Sequence, residues 1–307
     1  METMYLTHPS CRLHEMGSWH PESPQRLDAI ADQLLVSGLA PFLAEHEAPA
    51  ATREAILRVH TAGHLDSLHA RSPVEGYCTI DPDTMMNPHT YEAALHAAGA
   101  GIAAVDAVMG GQAANAFCAV RPPGHHARRS QAMGFCFLNN VAIAAQHAMQ
   151  VHGVRRVAIV DFDVHHGNGT EDVFAGDDRV LMCSFFQHPF FPNSGTEHPA
   201  ANMLNVPVPA YTDGAAVREL VRDVWLPRLQ AHAPELILIS AGFDAHREDD
   251  MGQMGLVEAD YAWITERVAE VADRHAQGRI VSMLEGGYNL SALGRSVVAH
   301  IRALAKL

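Results

Sequence analysis

The chain has 307 residues, 48% hydrophobic and 18% charged, enough apolar material for a large core and too much for a disordered chain. With 21 Lys and Arg against 35 Asp and Glu the net charge is −14, and no basic patch stands out to neutralise phosphates, which excludes nucleic acid as the main partner. No apolar run nears the roughly 20 residues of a membrane span, and the opening METMYLTHPSCRLHE lacks the basic-then-apolar layout of a secretory signal. The five cysteines are scattered without a CxxC pair, so the expectation is a cytoplasmic protein with reduced thiols and no membrane association.

Helices and strands alternate from about residue 88 onward. NPHTYEAALHAAGAGIAAVDAVMGG has helical spacing and stops at Gly110-Gly111, and ANAFCAV (114–120) then reads as a strand. A helix over 139–153 is followed by a strand over 155–163, RRVAIVDFD, and another over 179–186, RVLMCSFF. A helix over 213–232, a strand over 235–244, a helix over 257–278, a strand over 279–288 and a closing helix, SALGRSVVAHIRALAKL, complete the series. Strands apolar throughout and alternating with helices predict an open parallel α/β sheet covered on both faces. With no repeat, linker or low-complexity tract, residues 1–307 read as a single domain.

The polar residues fall where such sheets bind ligands, beyond the carboxyl ends of the strands. ANAFCAV runs into RPPGHHA with His125 and His126; the next strand runs into DFDVHHGNG with Asp161, Asp163, His165 and His166. ELILISAGF runs into Asp244, and RIVSML into EGGY with Tyr288. Burying carboxylates is costly unless a positive group meets them. Side chains two apart in an extended segment share a face, so Asp161, Asp163 and His165 point one way. Asp163, His165 and Asp244 then form three ligands with an open position, the pattern of a catalytic metal, with Zn²⁺ favoured and Fe²⁺ tolerated. The alternative is a hydrogen-bonded carboxylate–histidine cluster without metal. Beside a metal-activated water, His125 and His126 become general base and acid, and Tyr288 a donor to an oxyanion.

In this order RPPGHHA, MGFCFLNNVA, VDFDVHHGNGT, SAGFDAHR and LEGGYNL resemble the zinc-dependent histone deacetylase superfamily, especially its class II branch and bacterial amidohydrolase relatives. HPESPQRL is similar to that branch's first active-site loop, so the resemblance spans roughly 5–300 and implies the arginase-like open sheet. It implies Asp163, His165 and Asp244 as zinc ligands, His126 as base and then acid, and Tyr288 as the group polarising the amide carbonyl. Asp161 would hold His125 and Asn168 would hold His126. Phe135 and Phe191 would wall a narrow channel, Gly134 would let the substrate stem approach the backbone, and Arg26 would line an inner pocket. A structural K⁺ would lie among Asp161, Asp163, His165, Ser184 and Phe185, and a second among Phe174, Asp177, Val180 and Asn202.

Met251 stands where polyamine-selective members carry an acidic gatekeeper, although Glu15 or Glu22 could supply that charge from another loop. Arg128-Arg129 reads as a solvated pair or a rim feature, and Trp19 as a cap over the pocket mouth or a pin for its loop. The leading expectation is deacetylation of acetyl-lysine in protein or peptide. The same chemistry on a small acetylated amine, a silent acyl-lysine-binding protein and an arginase-like ureohydrolase are the alternatives. A homo-oligomer is left open.

Overall fold

A computed structural model describes residues 2–307. The strands are β1 (Thr3–Thr7), β2 (Leu43–Glu47), β3 (Cys78–Asp81), β4 (Thr84–Met86), β5 (Asn115–Cys118), β6 (Val157–Asp161), β7 (Val180–Gln187), β8 (Met203–Val208), β9 (Leu236–Ala241) and β10 (Ile280–Leu284). The helices are α1 (Gln25–Val36), α2 (Arg53–Ile56), α3 (Ala62–Arg71), α4 (Thr90–Met109), α5 (Asn140–Val151), α6 (Asn168–Phe174), α7 (Gly214–Leu220), α8 (Leu226–His232), α9 (Glu258–His275) and α10 (Leu290–Ala305). Eight strands form one sheet in the order β2-β1-β5-β10-β9-β6-β7-β8, and every neighbouring pair is parallel. β3 and β4 form a separate antiparallel pair.

The four strands with polar tips, β5, β10, β9 and β6, are consecutive in this order. Every residue of these four strands is buried, and helices close both faces, which explains their lack of polar alternation. The first 87 residues add β1 and β2, which carry no strong apolar run; β2 is a half-exposed edge, LAEHE. β8 is the other edge and tolerates Pro207, which has no N–H to give a ladder.

The 213–232 segment is interrupted. Val221–Trp225 forms one π turn before α8, which starts with Pro227 near its first position, where the missing N–H costs least. Contrary to the expectation from apolar runs, α4 is long and apolar enough to cross a membrane by length and composition; most of its apolar window is buried against α5 and the sheet.

Beneath the strand ends, the HPESPQRL loop delivers Glu22 into the core. Its carboxylate is fully buried between Arg121, Arg26 (3.1 Å) and His14 (3.3 Å), and Arg121 also donates to the carbonyls of Cys11 and His14. Burial opposes this charge, but Arg121, His14 and Arg26 together outweigh it and hold the Glu22 carboxyl well below its usual range. Glu22 therefore cannot face a substrate. Glu22→Gln strips two buried guanidiniums of their counter-charge and is expected to destabilise the fold by about 3–5 kcal/mol. A thermal melt superimposable on wild type would show that the network contributes nothing.

Candidate active site

β6 stops at Asp161 and the chain turns instead of continuing extended. The Asp163 N–H donates to Asp161 Oδ1 (3.1 Å) and the His165 N–H to Asp163 Oδ1 (2.9 Å). This corrects the expectation that Asp161, Asp163 and His165 share one face. Asp161 turns to His125, whose Nδ1 lies 3.0 Å from Oδ2, while Asp163 and His165 turn toward Asp244.

One ligand atom from each of Asp163, His165 and Asp244 falls within 4.8 Å of the others, and all three residues are buried. His165 presents Nδ1 to both carboxylates, 3.0 Å from Asp163 Oδ1 and 3.2 Å from Asp244 Oδ2. The remaining oxygens are fixed by peptide N–H groups, Val164 on Asp244 Oδ1 and Gly286 on Asp163 Oδ2, each at 2.9 Å. Apart from this approach of the His165 ring, Asp244 Oδ2 receives no hydrogen bond. A buried carboxylate oxygen left without a donor is costly and fits a cation better than a hydrogen-bonded cluster. Burial and the Asp163 charge push the Asp244 carboxyl up to about 7. Burial opposes the charge on His165, but its bonds to Asp163 and Asp244 raise it to about 10. The donor set suits a divalent ion such as zinc.

His125 and His126 share a loop but differ in environment. Burial opposes charge on His125, yet Asp163, Asp161 and Glu285 raise its pKa well above the usual histidine range. His126 is lowered well below it by burial and by the charges of His125 and His165. Its Nδ1 lies 2.7 Å from Asn168 Oδ1, which can only accept, so Nδ1 carries the proton and Nε2 keeps a free lone pair. Titratable neighbours pushed apart in this way are suited to acid and base roles.

Above this group a cavity of about 210 Å³ is lined by Phe135, Phe191, Phe190, Gly134, Met251, Tyr288, His126 and His165, with Asp83 and Asp250 at its walls. Gly134 is required by close approach: its φ is +55° and a Cβ would lie 2.6 Å from the His126 ring. Phe190 stacks on His165 with centroids 5.4 Å apart, and Phe135 meets the Tyr288 ring edge-on at 5.9 Å. Asp249, on the loop before Met251, accepts the Tyr288, Asn289 and Met251 N–H groups and so ties the tyrosine to the rim. Phe190, Asp83, Asp249 and Asp250 escaped the sequence reading. Their residue types carry no chemical signal until the loops are placed.

Arg26 does not line this cavity. It lies behind Tyr288, 4.9 Å from the ring centroid, and donates to the Gly287 and Glu285 carbonyls, each at 2.6 Å. Arg128 and Arg129 are both exposed, as a solvated pair would be, and the Arg129 guanidinium also donates to the Val173 and Val59 carbonyls. Trp19 is 70% exposed and leans on His20, which in turn packs edge-on against Phe135. Asp161 and Ser184 are register partners on β6 and β7. The carbonyls of Phe174, Asp177 and Val180 converge, and Asn202 Nδ2 donates to all three at 2.8–3.0 Å.

Asp106, His147 and His152 also converge among the described residues. There Arg58 donates to His147 Nδ1, which leaves the proton on Nε2 facing Asp106, so hydrogen bonds already satisfy the group. A larger cavity, about 490 Å³, lies at the opposite strand ends near Thr3, Asn115 and Arg279 and contains no such convergence of reactive groups.

The histone deacetylase domain profile matches residues 20–304, so the chain belongs to the histone deacetylase family and is a hydrolase acting on amide bonds. It is 40% identical over 277 residues to a histone deacetylase-like amidohydrolase of Pseudomonas aeruginosa, covering 88% of this chain and 73% of that protein. Histone deacetylase 14 of Arabidopsis thaliana is 36% identical over 307 residues, covering 93% and 73%. The crystal structure of the HDA15 HD domain superposes with a TM-score of 0.92 at 34% identity, covering 100% of this chain and 90% of that one.

A Cβ on Gly286 would lie 2.0 Å from Asp244 Oδ2 and 2.6 Å from Asp163 Oδ2. Gly286→Ala is therefore expected to abolish stoichiometric zinc binding while far-UV circular dichroism stays native. Full zinc content in the purified variant would mean that these two carboxylates are not the ligands.

Proposed function

We propose that this protein is a zinc-dependent deacetylase of Nε-acetyl-lysine side chains, with Asp163, His165 and Asp244 holding the metal. The observation that carries the reading is the aromatic channel: Phe135 and Phe191 flank a slot with Met251 at its rim, and the slot ends at His126, His165 and Tyr288. Bound zinc supplies Lewis acidity, lowering the pKa of a water from 15.7 toward about 7 and drawing charge from an amide carbonyl. Asn168 holds His126 with Nε2 free, placing it to take the proton from the attacking water and return it to the leaving amine. Tyr288 keeps its proton, because burial and the Asp244 charge raise its pKa well above the usual value, and donates it in a hydrogen bond to the carbonyl oxygen. Asp161 orients His125, and the Asp161–Ser184 pair between β6 and β7 is our candidate for a structural K⁺. Loss of one oxyanion donor costs about 10²–10³ in rate, so Tyr288→Phe is expected to lower kcat by that factor with little change in KM. Near-wild-type turnover would remove Tyr288 from the reaction.

Asp83 and Asp250 favour a second reading, a small acetylated amine whose distant ammonium meets a carboxylate at the mouth. Burial and the neighbouring Asp81 push the Asp83 carboxyl up to about 6, so it is charged above that pH and neutral below it. An acetyl-lysine peptide and an acetylated polyamine, assayed side by side from pH 5 to 8, separate the two readings. The lysine reading expects peptide preference at every pH. Polyamine preference that collapses as pH falls through 6 would replace it with the second.

A further inference from the structure

Glu285, the first residue after β10, enters the chemistry above only as one of the charges on His125, and its carboxylate is fully buried among the strand tips. Oε2 accepts the N–H groups of Gly124 (2.7 Å) and His125 (3.1 Å), and Oε1 accepts the Ser240 hydroxyl (3.1 Å). Its own N–H donates to Ala241 O (2.9 Å), and its carbonyl takes a guanidinium N–H of Arg26 (2.6 Å). One residue thus spans three neighbouring strands: the loop after β5, the end of β9 and the end of β10.

The histidine loop is tied on its other side by the Gly169 and Thr170 N–H groups on His125 O and by Asn140 Nδ2 on Pro122 O, and Glu285 alone meets its inward Gly124 and His125 N–H groups. β5 ends at Cys118, and seven residues later the chain must present two imidazoles to the cavity floor. Gly124 packs against Leu138 and Asn140, where a side chain has no room. The peptide N–H groups of Gly124 and His125 both point inward, and without the carboxylate both would be buried without an acceptor. That costs free energy and leaves the loop free to shift.

We propose that Glu285 is the positioning residue of the histidine pair, its carboxylate fixing the Gly124–His125 backbone so that His125 and His126 sit at reacting distance. The anchor acts by reach, through an oxygen delivered to two peptide N–H groups, and not by charge. It rests on the assignment of His126 as the proton-transferring group.

Reach and charge are separable by substitution. Glu285→Gln keeps an oxygen at the same length and can donate to Ser240, whereas Glu285→Asp keeps the charge but withdraws the oxygens by about 1.5 Å. With the zinc-loaded enzyme and an acetyl-lysine peptide or acetylated polyamine, whichever wild type turns over, Glu285→Gln is expected to keep kcat within about threefold. Glu285→Asp is expected to lose tenfold or more in kcat with KM unchanged, since an ångström of misplacement costs up to about 10²-fold. Zinc content should match wild type in both, and the thermal melt should match in the Gln variant and fall by only a few degrees in the Asp variant. An Asp variant as active as wild type overturns the proposal, and so does a Gln variant as damaged as the Asp variant. Should the Asp variant fail to fold, the Gln variant decides alone: kcat kept within about threefold upholds an anchor that acts by reach, and a loss of tenfold or more overturns it. His126→Ala at wild-type turnover would instead sink the histidine assignment beneath it.

Discussion

Four carboxyl groups buried side by side at the ends of adjacent parallel strands are the constraint around which this protein is arranged. Asp161, Asp163, Asp244 and Glu285 cannot all be ionised in a water-poor pocket without compensation, and each meets it differently. Asp161 has His125; Asp163 has His165, His125 and the Gly286 N–H; Glu285 has two peptide N–H groups and a hydroxyl. Asp244 Oδ2 receives no hydrogen bond and has the His165 ring nitrogen 3.2 Å away, which suits the group to a cation. These carboxylates raise His125, while burial and the charges of His125 and His165 lower His126, so one loop offers a proton-rich imidazole and a neutral one.

The scaffold answers this concentration of charge with rigidity. Tyr288 and its loop are gripped from two sides, by Asp249 through peptide N–H groups and by Arg26 through peptide carbonyls. Arg26 is in turn seated on Glu22, which Arg121 also holds. The ion network under the site therefore does not touch the cavity, yet it determines where the Gly286–Gly287–Tyr288 segment lies. Above it, the aromatic walls exclude water and strengthen every electrostatic contact on the floor.

Much of this was legible from the chain. The strands β5, β6, β7, β9 and β10 announce themselves as apolar runs because both of their faces are covered, and their polar tips stand out against that background. β1, β2 and β8 were not legible: the two edge strands need no continuous apolar run, and β1, TMYLT, has a polar threonine at each end. Asp83, Asp249, Asp250 and Phe190 were missed because they are ordinary loop residues whose meaning is their proximity to distant segments. Arg26 was legible as important but not in its contacts, since a buried arginine that spends its donors on backbone carbonyls leaves no trace in spacing.

The sequence by itself determined which chemistry is present: an alternating parallel sheet, two carboxylates and an imidazole at its strand ends, a histidine pair and a tyrosine. These follow from residue type and local period, which are properties of neighbours along the chain. Only the tertiary structure decided that Asp161 parts from Asp163, that one oxygen of Asp244 is left open, and that Glu22 is locked in the core. It also decided that Glu285 braces the histidine loop. The physical reason is that compensation of buried charge is settled by groups up to 261 residues apart in sequence, as Arg26 and Gly287 are, and no local pattern encodes such a meeting.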